Sequence, residues 1–203
     1  MFRIVCALAL LFTSISSAQD KKTVVFFGDS ITAGYGIALE SAFPALIQKR
    51  VDSLGMNYQV INAGLSGETS AGGLQRIDWI LRSKPAVFVL ELGGNDGLRG
   101  LSLDETRKNL TAMIKKIREA SSETKILLAG MQIPPNLGQA YTEEFRNLFA
   151  EVAKKNKVEL IPFLLVNVGG EKELNLADGI HPNGAGHKIV AETVWSYVGP
   201  LLN

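Results

Sequence analysis

The sequence predicts an α/β protein built on a doubly wound, all-parallel sheet. Three observations lead there. Five short runs are almost continuously apolar and rich in Val, Ile, Leu and Phe, as strands covered on both faces are. Longer segments with helical apolar spacing separate them in strict alternation. No internal repeat, low-complexity tract or linker breaks the 203 residues, and 46% hydrophobic content supplies a full core for one domain.

The elements follow in order. Strands are expected over 23–27, 58–62, 86–91, 125–131 and 158–163. The first helix, over 41–54, places Phe43, Leu46, Ile47, Val51 and Leu54 on one face, and Gly55 is a stop signal. A second covers 71–82. The third, over 104–120, turns Leu110, Met113, Ile114 and Ile117 inward, with Asp104 as the expected N-cap. The fourth, over 141–156, buries Phe145, Leu148, Phe149 and Val152. The last, over 184–199, buries Ile189, Val190, Val194, Trp195 and Val198, with His187 expected on its solvated face.

Residues 1–18 read as a secretory signal, and 19–203 as the single domain. Arg3 is the positive start, Ile4 to Phe12 the apolar stretch, and Ser16-Ser17-Ala18 a small-residue cleavage site. About 9–12 apolar residues fall short of the roughly 20 that span a bilayer, so no stable membrane anchor is expected. Cleavage removes Arg3 and no acid, which takes the formal charge from +1 to zero. It also removes Cys6, the only cysteine, and with it any thiol nucleophile or disulfide. With two histidines and no cysteine, no metal site is expected, and no cofactor is called for. No basic run points to nucleic acid. Export to the periplasm or medium is the expected fate.

Each unusual polar cluster follows a predicted strand. Gly28-Asp29-Ser30 follows the first and Asn62 to Thr69 the second. Gly93-Gly94-Asn95-Asp96-Gly97 follows the third, Met131 to Pro135 the fourth, and the loop with Asp178 and His181 the fifth. In an open parallel sheet the carboxyl ends of the strands share one edge, and ligands bind there where strand order switches. A serine needs a base before it attacks a carbonyl, and a histidine with a nearby carboxylate supplies one. Ser30 is therefore the expected nucleophile, His181 the base and later acid, and Asp178 the group that orients the imidazole. Small neighbours of Ser30 (Gly28, Thr32, Ala33 and Gly34) are expected to let a substrate carbonyl approach. Donors for the tetrahedral oxyanion are expected from the backbone N–H groups of Ser30 and Gly67 and the side-chain amide of Asn95.

The blocks GDSITAGYG (28–36), INAGLSGETS (61–70), LGGNDGLRG (92–100) and DGIHPN (178–183) resemble the GDSL or SGNH hydrolase family. With the signal segment, GGNDGLRG looks most like the bacterial periplasmic thioesterase and lysophospholipase-type esterases, arylesterase-like. The resemblance implies Ser30, Gly67, Asn95 and His181 as family landmarks, with Asp178 completing the triad. It implies a flavodoxin-like three-layer α/β/α sandwich with a five-stranded parallel sheet. It also implies small-molecule acyl ester substrates: aryl and acyl esters, acyl thioesters and lysophospholipids. Glu68 stands where relatives often carry aspartate.

Asp29 and Asp96 compete as partners of His181, but Asp178 has the family position, which leaves them to bond loop backbone. Ser66 is a loop residue, because position 68 is Glu and the G-x-S-x-G elbow is absent. Gly34-Tyr35-Gly36 is no dinucleotide fingerprint, since Leu39 replaces its third glycine. Leu98, Ile133, Pro134 and Leu165 are expected to line an acyl groove, and the long segment 164–177 either walls that groove or caps the core. Acyl transfer to a sugar or alcohol would use the same residues. A non-catalytic lipid- or carbohydrate-binding module would not need all five chemical groups.

Overall fold

The computed structural model describes residues 20–202, so the proposed export signal and Cys6 lie outside the described residues. Five strands form one sheet: β1 (Lys22–Gly28), β2 (Tyr58–Gly64), β3 (Val87–Glu91), β4 (Lys125–Ala129) and β5 (Glu159–Ile161). All pair in parallel, in the order β2-β1-β3-β4-β5. This is the flavodoxin-like order, and its switch point falls between β1 and β3. Every residue of β3 is buried, as its unbroken apolar run demands.

Among the described residues seven α-helices accompany the sheet: α1 (Ser30–Ala33), α2 (Phe43–Ser53), α3 (Ser70–Leu81), α4 (Gly94–Leu98), α5 (Leu103–Ala120), α6 (Gln139–Asn156) and α7 (Gly184–Val198). α5 packs between α3 and α6 in one layer, and α2 packs on α7 in the other. The core between them holds Phe26 and Phe27 of β1, Phe88 of β3 and Phe43 of α2, with Phe26 and Phe43 meeting edge to face at 5.3 Å. No helix among the described residues is long and apolar enough to cross a membrane.

The sheet has two edges. β5 is only three residues long. β2 is longer, but Gln48 of α2 lies along it, accepting the Val60 N–H at 2.6 Å through Oε1 and donating from Nε2 to Tyr58 O at 3.5 Å.

Four expectations need correction. The N-cap of α5 is Ser102, whose hydroxyl accepts the Glu105 N–H, and Asp104 sits in the first turn instead. β4 and β5 stop two residues earlier than their apolar runs, at Ala129 and Ile161, which frees Met131 and Phe163 for the loops beyond. The small residues around Ser30 close-pack the turn rather than clear a path for substrate. A Cβ on Gly28 would lie 2.3 Å from the Thr32 hydroxyl, and Thr32 is fully buried.

The fourth correction is His187, which is 1% exposed rather than solvated. Its Nδ1 accepts the Phe43 N–H at 3.2 Å, and its ring stacks on Phe43. It thus caps the start of α2 from another helix. Burial first, and the charge of His181 second, push its pKa down to about 4.

Candidate active site

Ser30 is the first residue of α1, where the chain leaves β1 at the switch point. Asp29 caps this short helix by accepting the Ile31 N–H at 3.0 Å, and Gly34 ends it in the left-handed conformation. His181 arrives from 151 residues away and places Nε2 3.0 Å from Ser30 Oγ. Its Nδ1 lies 2.7 Å from Asp178 Oδ2. A carboxylate only accepts, so in the neutral ring Nδ1 carries the proton and Nε2 accepts from the serine hydroxyl. The Tyr35 ring rests against the imidazole at 4.6 Å.

The sequence Asp178 to Asn183 makes this placement local. Asp178 Oδ1 accepts the N–H groups of Ile180 and His181 at 2.9 and 3.0 Å, so aspartate and imidazole belong to one turn. Gly179 supplies that turn's positive φ of 69°. Asn183 then caps α7 by accepting the Ala185 and Gly186 N–H groups. The His181 N–H bond is the first cause that holds the Asp178 carboxyl down to about 2; desolvation opposes it, and the Ile180 N–H and the imidazole add to it.

The other side of Ser30 is built from the loops after β2 and β3. Asn95 Nδ2 donates to Asp29 Oδ2 and to Glu68 O, both at 3.1 Å. Arg99 donates to Gly67 O at 2.9 Å. Among the described residues no protein acceptor takes the N–H of Ser30 or of Gly67. Arg76 of α3 fixes this loop: it bonds both carboxylate oxygens of Glu68, donates to Ala63 O at 2.8 Å and lies over the Phe27 ring. Asp96 accepts from the backbone and hydroxyl of Ser70 and from Thr106, so it holds α3 to α5, away from the imidazole.

A cavity of about 550 Å³ opens beside Ser30, Asn95 and His181. Leu98, Ile133, Pro134 and Leu165, named from sequence alone, all line it. Gly67 is not among its walls. Met131, Phe163 and Ile180 also line it and escaped the sequence reading. In the segment 164–177, Leu165 faces the cavity, while Leu164 and Val168 are buried in the core.

Residues 26–189 match the sequence model of the GDSL-like lipase/acylhydrolase family. The chain belongs to that family. Esterase TesA of Pseudomonas aeruginosa PAO1 is 43% identical over 198 residues, covering 97% of this chain and 96% of TesA. Thioesterase 1/protease 1/lysophospholipase L1 of Escherichia coli K12 is 34% identical over 195 residues, covering 96% and 90%. The crystal structure of the psychrotrophic esterase EstA from Pseudoalteromonas sp., inhibited by monoethylphosphonate, superposes with a TM-score of 0.84 at 32% identity, covering 90% of this chain and all of that one. As a member of this family of ester hydrolases, the protein is an enzyme. Its GDSL serine, the serine of block 28–36, is the one that His181 faces.

The sequence reading also gave no role to a buried acid beside Ser30's turn. Glu91, at the end of β3, was read only as the last residue of a strand. An acid closing an otherwise wholly apolar run, one residue before the loop that carries Asn95, was the available signal.

Proposed function

We propose that the protein is an exported serine esterase that cleaves carboxylic esters through an acyl-enzyme. The carrying observation is the line Ser30 Oγ, His181 Nε2, His181 Nδ1, Asp178 Oδ2, with steps of 3.0 and 2.7 Å at its ends. Neutral His181 takes the Ser30 proton as Oγ bonds to the substrate carbonyl carbon. The imidazolium is stabilised by Asp178, which its own turn keeps ionised. The carbonyl oxygen, now anionic, is met by the free N–H groups of Ser30 and Gly67 and by the Asn95 amide, which turns from one of its two acceptors. His181 then gives its proton to the leaving alkoxide or thiolate, and the acyl group stays on Ser30. Water, activated by the same imidazole, attacks the acyl-enzyme and releases the acid.

The apolar cavity walls at Leu98, Ile133, Pro134 and Leu165 are the proposed acyl site. Aryl esters, acyl thioesters and lysophospholipids all present an acyl carbonyl that this arrangement accepts. Thioesterase and lysophospholipase both stand in the name of the Escherichia coli relative, and a 32% identical relative from Vibrio mimicus is named an arylesterase. The secretory pattern of residues 1–18 supports action after export.

The test is hydrolysis of p-nitrophenyl esters from acetate to palmitate by the mature protein beside Ser30→Ala. Activity in the parent that disappears in the variant is expected. An alkyl phosphonate should label the parent on Ser30 and leave the variant unlabelled. Activity that persists in Ser30→Ala would overturn the serine reading.

A further inference from the structure

Glu91 lies at the switch point beneath Ser30, and the reaction just described does not use it. It is 1% exposed and pairs with Gly28 in the β1–β3 register. Its Oε2 accepts the Asp29 N–H at 3.1 Å and the Thr32 hydroxyl at 2.7 Å. Its Oε1 is buried and has no hydrogen-bond partner. The guanidinium of Arg76, which reaches Gly28 O at 3.5 Å, pairs with Glu68 instead.

An ionised carboxylate fits this place badly. It would hold two donors on one oxygen, none on the other, and a second carboxyl, Asp29, beside it. Burial, and then the Asp29 charge, drive the Glu91 pKa well above its ordinary value. Burial also raises Asp29, to about 6, against the opposing pull of the Ile31 N–H, His181, Asn95 and the Glu91 side chain. Burial and the neighbouring Asp29 thus act in the same direction as the geometry, which gives the Glu91 carboxyl two donors on one oxygen and none on the other.

The fit is close. A Cβ on Gly28 would lie 2.3 Å from Glu91 Oε2, so the carboxyl reaches its donors only because residue 28 is glycine. Asp29 and Thr32 flank Ser30 in the chain, and one oxygen atom holds both. Asp29 in turn fixes which way the Asn95 amide faces, because only its NH₂ end can donate to Asp29 Oδ2.

We infer that Glu91 is a positioning residue of this enzyme: its uncharged carboxyl, wedged between Gly28, Asp29 and Thr32, fixes the turn that presents Ser30 and, through Asp29, the amide of Asn95. This rests on Ser30 and Asn95 acting as proposed above. A nucleophile misplaced by about 1 Å loses on the order of 10²-fold in rate, which sets the scale of the effect.

The experiment compares Glu91→Ala, Glu91→Gln and Thr32→Val on p-nitrophenyl butyrate, with kcat normalised to active sites titrated by an alkyl phosphonate. Glu91→Ala should lower kcat per titrated site about 10- to 100-fold with KM held within about twofold. Glu91→Gln should restore kcat to within about threefold, because its amide oxygen replaces Oε2 and its NH₂ replaces the protonated Oε1. Thr32→Val removes one of the two donors and should cost a few-fold.

A wild-type kcat per titrated site in Glu91→Ala would overturn the inference and leave Glu91 as core filling. A Glu91→Gln as impaired as Glu91→Ala would overturn the uncharged carboxyl. If Glu91→Ala does not fold, Thr32→Val decides, and an unchanged kcat there overturns the inference. A wild type that no phosphonate labels would instead overturn the serine reading itself.

Discussion

His181 and His187 stand six residues apart, on either side of the start of α7, and meet opposite surroundings. His181 hangs from a turn with a carboxylate at Nδ1 and a hydroxyl at Nε2. His187 is sealed between α7 and α2, with a backbone N–H at Nδ1 and an aromatic ring on its face. The first has a carboxylate at one nitrogen and a hydroxyl at the other, the partners that the proposed base needs. The second has no such neighbour, and its burial disfavours the charged form, so it serves as a fixed acceptor. What separates the proposed base from a helix cap is therefore the partner at each nitrogen.

Exchanging the losses of the two histidines is the sharpest way to break this comparison. His181→Ala should lower kcat by at least ~10³-fold while the thermal midpoint stays within a few degrees. His187→Ala should do the reverse. It leaves the Phe43 N–H without an acceptor and opens a void, costing about 2–4 kcal/mol in denaturant unfolding, with kcat of the folded fraction within a few-fold of the parent. Equal kinetic losses in both would erase the distinction.

Acid should sharpen it further. His187 has a folded pKa of about 4 against an ordinary 6.5. The unfolded chain therefore takes up a proton in this window that the folded chain refuses, and stability falls as pH drops from about 6.5 to about 4. Asp29 works in the other direction. Its folded pKa of about 6 exceeds the ordinary 3.8, so its cost to the native state is greatest above pH 6 and eases as pH falls toward 3.8. Denaturant midpoints measured from pH 7 to pH 4 should thus fall less steeply in His187→Leu than in the parent. Asp29 is common to both proteins, so the difference isolates His187. Parallel curves would show that the buried histidine does not control acid stability.

The smallest expected effects lie in the cavity. Leu98→Asn or Leu165→Asn should reduce turnover of an octanoate ester about 5- to 20-fold and of the acetate ester less than about twofold, as lost apolar contact on the acyl chain would. Equal losses on both esters would remove these two leucines from the acyl site.

Much of this was written in the chain and some was not. The strands were legible because their runs are mostly apolar, most completely in β3, where every residue is buried. The cavity leucines were legible because loops that follow strands in such a sheet must converge on one edge. The helices α1 and α4 were not, since four or five residues are too few to show a period of 3.6. Ser102 could have been found: Ser102 with Glu105 is a capping-box pattern, and Asp104 was preferred on residue type alone. His187 could also have been placed, because Val190, Ala191 and Val194 lie three, four and seven residues beyond it on the buried stripe. A polar side chain was taken as a solvent signal where position on the helix was the better guide. The surroundings of Glu91 were beyond reach, as they depend on Asp29 and Thr32 meeting it from the turn and helix that follow β1.

Far from the chemistry, Gln48 has a consequence for handling the protein in bulk. One end of the sheet is too short to template another chain, and the longer one is occupied by this single amide, which bonds β2 at Val60 and Tyr58 as a neighbouring strand would. Shelf life in concentrated stock should therefore hinge on a side chain that never meets substrate. Replacing it with alanine would leave β2 open to the same strand of a second molecule, and turbidity, not turnover, would register the change.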